Sequence, residues 1–166
     1  MPTQISPTGR ILVGADGSPA SVAAVQWAAR EAQLRGMRVH VVYVRDKRLP
    51  TPHYAPQPRA SEVGLDQAAG ESTLQAVVRE ALGTQPAGVQ MELADGPPAR
   101  VLIERSVGAE MLVLGSTRPG AGPATPASRS LTPLGPVARD CLHAARCPVV
   151  VVRTGEVRSA AEPVHA

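Results

Sequence analysis

Residues Glu110–Arg153 read EMLVLGSTRPGAGPATPASRSLTPLGPVARDCLHAARCPVVVVR, and this stretch decides the fold. Its apolar start, Met111–Leu114, ends in Gly115 and Ser116, crosses a loop of glycine, proline, serine and threonine, and resumes at Leu134 as a helical sequence. A strand that ends in glycine and passes through small residues into a helix presents that helix's N-terminus to an anion. The closing valines Val149–Val152 show no polar alternation, which predicts a strand buried on both faces. Function is therefore expected in the loop between Gly115 and Gly135.

The same alternation runs upstream. Arg10–Gly14 reads as a short buried strand, followed by the turn Ala15–Pro19, in which Ser18 caps a helix and Pro19 takes its first position. That helix runs over Ala20–Arg35, with an apolar stripe of Val22, Val25, Trp27, Ala28 and Leu34, and Gly36 closes it. Val39–Val44 is the second strand. Residues 46–60 carry Pro50, Pro52, Pro56 and Pro58 and read as an irregular loop. A helix over Ser61–Leu82 follows, its spacing carried by Leu65, Ala68, Leu74, Val77, Val78 and Leu82. Val89–Leu93 alternates as an edge strand with one wetter face. A short helix Ala99–Ser106, the strand Met111–Leu114, the helix Leu134–Ala145 and the strand Val149–Val152 complete the order. Strict alternation predicts an α/β single domain, a parallel sheet covered by helices on both faces. Its span is 10–153, between an N-terminal arm, 1–9, and a C-terminal tail, 154–166, both expected to be frayed.

Composition narrows the function. The chain has 166 residues, 43% hydrophobic but only 2% aromatic and without Phe, so its core is built from Val, Leu, Ile and Ala. A net charge of +3 comes from dispersed arginines, and no basic run interleaved with aromatics suggests nucleic-acid binding. Apolar runs fall far short of the roughly 20 residues that span a membrane. The opening MPTQISPTGR lacks the apolar segment of a secretory signal, so a cytoplasmic location is expected. Cys141 and Cys147 read as reduced core thiols, and His40, His53, His143 and His165 are scattered. No nucleophile with its base, no carboxylate pair and no metal-ligand spacing stands out, so no catalytic residue is assigned.

Four segments taken together carry a family resemblance: ILVGADGSPASVAAVQWAAREAQLRG, VHVVYV, ADGPPARVLIERSVGAEMLVLGS and LGPVARDCLHAARCPVVVVR. In this order and spacing the chain resembles the universal stress protein family from about Arg10 to Arg153. The resemblance implies a Rossmann-like, adenine nucleotide alpha hydrolase-like fold with a five-stranded parallel sheet in the order 3-2-1-4-5. It also implies a cytosolic homodimer, often stress-induced, with ATP in many members at the carboxyl ends of strands one and four. In family terms Gly14, Ala15 and Asp16 lie on the nucleoside side, and Val44 offers backbone to the adenine. Gly115, Ser116, Arg118, Gly120, Gly135, Pro136 and Val137 make up the phosphate side.

The strand reversal between strands one and four opens a crevice in any such sheet, which supports the same location on physical grounds. Asp16 can accept hydrogen bonds from ribose hydroxyls or serve as an ordinary turn residue before Gly17. Gly115 can let backbone approach a ligand. The phosphate loop departs from the family pattern: Arg118 stands where a glycine is expected, the loop is longer, and Pro136 replaces a hydroxyl residue. Proline brings neither the N–H nor the hydroxyl. The reading is thus a regulatory or binding module governed by ATP, set against a member that acts through an unidentified protein partner, and against a weak ATPase or phosphotransferase. The valines Val149, Val150, Val151 and Val152 at the sheet edge are expected to pair with the same strand of a second copy.

Overall fold

The computed structural model describes residues 9–46, 60–84, 87–116 and 134–154, with side chains in the second segment from residue 67 onward. Among the described residues nine elements alternate: β1 (Arg10–Ala15), α1 (Pro19–Arg35), β2 (Arg38–Arg45), α2 (Ala60–Leu82), β3 (Val89–Asp95), α3 (Pro98–Arg105), β4 (Met111–Ser116), α4 (Pro136–Ala144) and β5 (Val149–Arg153). All strand pairs are parallel, in the order β3-β2-β1-β4-β5, so the chain is one α/β domain with the expected topology. The arm up to residue 8, the tail from residue 155, and most of both proline-rich loops lie outside the described residues.

β1 is central, and its apolar run Ile11, Leu12 and Val13 is fully buried. Side chains alternate along it, so Ile11 and Val13 enter the layer beneath α1 and α2, and Leu12 enters the layer beneath α3 and α4. α1 starts as its sequence dictates. Ser18 Oγ accepts from the Ser21 N–H at 3.2 Å, Ser21 Oγ donates back to the Ser18 carbonyl at 2.8 Å, and Pro19 opens the helix. It ends at Gly36 in the left-handed conformation, whose N–H bonds to the Ala32 carbonyl.

The buried stripe of α1 keeps Val22, Val25 and Ala28 of the expected set, with Trp27 partly buried against them, and adds the small residues Ala20, Ser21, Ala24 and Ala32, while Leu34 is 81% exposed. Leu34 lies about 200° around the helix from Ala32, so an apolar identity alone misassigned it. Ala68 of α2 is exposed for the same reason, and Leu74, Val77 and Val78 make the contact. β5 is the edge strand, and its four valines are half-buried rather than buried on both faces. An edge strand has one neighbour, and the short α4 leaves part of it open. Cys141 and Cys147 are unpaired, and burial pushes the Cys141 thiol up to about 11, which leaves it unreactive.

Small residues on α1 let it approach the sheet closely, and the tightest point is Gly115 of β4. A methyl group there would lie 2.8 Å from the Ser21 nitrogen and closer still to the Ala20 carbonyl. Backbone cannot swing aside as a side chain does. Gly115→Ala is therefore expected to destabilise the fold by about 1–3 kcal/mol, read as a lower urea midpoint. Gly135→Ala, where the added methyl meets open space, should shift that midpoint much less.

Candidate functional site

The strand order reverses between β1 and β4: α1 leaves β1 on one face of the sheet, while α4 follows β4 onto the other. The loops part there, as they must when successive connections depart in opposite directions. A cavity of about 270 Å3 opens at that point, above the carboxyl ends of β1, β2 and β4.

Its floor and walls come from separated parts of the chain. Gly14, Ala15 and Asp16 end β1, Gly115 and Ser116 end β4, and Val44 lies near the end of β2. Gly135, Pro136 and Val137 supply the opening turn of α4. Nine of the expected site residues thus meet in one cavity, whereas Arg118 and Gly120 lie outside the described residues.

Each contributes something definite. Asp16 is exposed, and its Oδ1 accepts from the Ser18 N–H at 2.9 Å, so it is a turn residue and a wall of the cavity together. Gly17, at φ 84°, completes the turn in a conformation that favours glycine. The opening of α4 is bare: Gly135 caps it without a side-chain hydrogen bond, and Pro136 has no N–H to offer. Val137 and Ala138 line the cavity in that same turn, where a helix leaves its N–H groups without intrahelical partners.

Gly115 has a different first duty from the one its sequence position suggested. Its missing side chain is required by α1, which occupies the space a methyl would take. Gly14 is constrained less, since a methyl there would come 2.7 Å from Leu114 Cδ2 and 3.0 Å from Leu102 Cδ1, the ends of side chains that can turn aside.

Sequence reasoning missed Ser21, Val42, Pro98, Leu102, Leu114 and Ala138. Val42 is within reach of the alternation rule, because it shares a sheet face with Val44 two residues later. Leu102 and Pro98 carry no local signal. They arrive only because α3 packs under the same end of the sheet. The result is an apolar slot, Val42, Val44, Leu102 and Leu114, with a carboxylate and a helix N-terminus at its rim. Such a slot accepts a flat apolar group and orients polar atoms attached to it. Among the described residues no cluster of His, Cys, Asp and Glu is placed to hold a metal ion. No described helix is long and apolar enough to cross a membrane.

A family model described as the universal stress protein family matches residues 7–153. The universal stress protein Rv2005c of Mycobacterium tuberculosis is 33% identical over 159 residues, covering 94% of this chain and 51% of that protein. The chain spans about half the length of the curated relatives it matches. Among solved structures, a universal stress protein in complex with cAMP is 22% identical with a TM-score of 0.60, covering 90% of this chain and 100% of that one. The universal stress protein from Archaeoglobus fulgidus in complex with dAMP is 21% identical with a TM-score of 0.54, covering 88% and 98%. At such identities these two likenesses concern the fold alone. With the family model spanning every element from β1 to β5, the chain belongs to the universal stress protein family.

Proposed function

We propose that the chain is a binding module whose state is set by an adenine nucleotide held in the cavity between β1 and β4. The observation that carries this reading is the joining of Asp16 and the first turn of α4 in one cavity whose remaining walls are apolar. The slot of Val42, Val44, Leu102 and Leu114 suits a purine, and Asp16 suits ribose hydroxyls. Val137 and Ala138, in the helix's first turn, suit a phosphate. Two neighbours with this fold were solved with cAMP and dAMP, which supports the class of ligand.

The volume of about 270 Å3 is at the small end for a ligand site, for which roughly 300–1,000 Å3 is usual. The described walls thus match a nucleoside, and ATP would extend beyond them. Pro136 works against the phosphates, since it removes one N–H from the helix opening. The same proline favours a second reading, a member that binds no nucleotide and acts through a protein partner. No catalytic role is assigned, because Asp16 is the one titratable side chain among the described lining residues. We further propose a homodimer in the cytoplasm, formed by antiparallel pairing of β5 with β5 of a second copy. Its half-buried valines lie on the sheet edge and would gain cover.

Calorimetric titration of AMP and ATP tests the nucleotide reading. Binding in the micromolar range, weakened about 10-fold or more by Asp16→Ala, is expected from the loss of a charged hydrogen-bond acceptor. Absence of heat up to millimolar nucleotide would leave the protein-contact reading. Pro136→Ser should tighten AMP and ATP by about 10- to 150-fold through a restored N–H and hydroxyl while leaving adenosine unchanged. Light scattering at micromolar concentration is expected to give the mass of a dimer, and a charge placed at Val151 should give the monomer.

A further inference from the structure

At the amino end of the sheet, opposite the cavity, polar groups from four elements converge in the layer under α3. His40 of β2 is 4% exposed, and its register partners are Leu12 of β1 and Gln90 of β3. Its Nε2 lies 2.9 Å from Glu92 Oε2, within ion-pair distance. The other oxygen of Glu92 accepts from Arg105 of α3 twice, from Nε at 2.9 Å and Nη2 at 2.8 Å. Arg10 of β1 donates from Nη2 to the carbonyls of Arg105 at 2.9 Å and Val107 at 3.0 Å. Both guanidiniums therefore anchor the end of α3, Arg105 by reaching from it to Glu92 and Arg10 by donating to the backbone carbonyls of Arg105 and Val107.

We propose that His40, Glu92, Arg10 and Arg105 form an acid-sensitive latch, which holds the C-terminal end of α3 to the sheet and releases it when the His40 imidazole is protonated.

The charges explain why release follows. With neutral His40 the cluster has two guanidiniums and one carboxylate. Protonation adds a third cation, in a place with almost no water. Burial lowers the affinity of His40 for a proton, and Arg10 and Arg105 lower it further, against the opposing pull of Glu92. Cys147, which also feels the charge of Arg10, is a half-buried thiol and contributes no compensating charge near neutrality, since burial holds it protonated. A protonated imidazole must then draw Glu92 away from Arg105 or reach water. The open side is the rim where the Arg105 side chain, 42% exposed, now sits. Either course loosens the last turn of α3.

The pH window follows from the direction of the shift. A base whose folded pKa lies below its ordinary 6.5 gives no pH dependence above that value. Below it the opened state takes up a proton that the closed state refuses, and opening becomes easier by up to about tenfold per pH unit. Glu92 enters only at lower pH, because the hydrogen bonds from Arg105 hold its carboxyl below the ordinary 4.5. α3 also supplies Pro98 and Leu102 to the cavity, so the latch would link acidity to the cavity wall, whatever ligand the cavity takes.

Hydrogen exchange of the α3 amides between about pH 7.5 and pH 5.5, corrected for intrinsic exchange rates, tests the latch. Protection of α3 in the unaltered chain should fall by up to about tenfold across the last unit, while that of β1 and β4 stays constant. His40→Gln should remove the pH dependence, and Glu92→Gln should lower α3 protection at every pH. A flat profile in the unaltered chain, an equal fall in β1, or an undiminished pH dependence in His40→Gln would each overturn the proposal. Should His40→Gln not fold, the comparison of α3 with β1 in the unaltered chain decides alone.

Discussion

The architecture depends on how closely α1 can sit against β4. Ala20 and Ser21 press their backbone on the place where a side chain of Gly115 would be. That contact fixes the height of α1 over the switch point, and with it the height of the Asp16 turn just before the helix. It also explains why α1 buries alanines and serine rather than leucines. Larger residues would lift the helix, leaving unfilled space that a close-packed interior does not tolerate.

The two faces of the sheet are used differently. The face under α1 and α2 is a continuous apolar layer of Ile11, Val13, Val25, Val41, Val77 and Val113, and two long helices cover it. The face under α3 and α4 is covered by helices of only 8 and 9 residues. Too little helix is available there to seal the sheet from end to end. At the carboxyl end the shortfall leaves the cavity. Toward the amino end, polar groups occupy the remainder, and His40 and Glu92 are tied together with Arg105. His40 is the buried member, and the charged Glu92 and Arg105 reach the rim, where water shares in solvating their pair.

Much of this was legible in the residues. Gly36 and Gly83 mark helix ends because each adopts positive φ, at 64° and 81°. Ser18 and Pro19 mark a start because one caps and the other needs no N–H. Strand boundaries extended by a residue or two, as with Ala15 and Ser116, because hydrogen bonding continues past the apolar run. Leu34 and Ala68 were misassigned because apolar character does not say which way a helix faces. The cavity was legible where it is built by strand ends and a helix opening, as at Asp16 and Pro136. It was illegible at Leu102, which owes its place to long-range packing of α3, and at Gly115, whose tightest neighbour is a helix almost a hundred residues earlier in the chain.

The central pairing of β1 with β4 has a further consequence for how the molecule is made. Ile11 lies beside Met111 and Gly14 beside Leu114, so the middle of the sheet is closed by contacts between the beginning of the chain and its last third. Contacts so distant in sequence require a large loop closure before they return any stability, and sheets of this topology fold slowly in proportion. During synthesis β1, α1 and β2 emerge before β4 and can pair locally, but one whole edge of β1 remains unpaired until β4 appears. For that interval the strand that carries the fully buried run Ile11–Val13 has one open edge, and such an edge is a template for pairing elsewhere until β4 closes it.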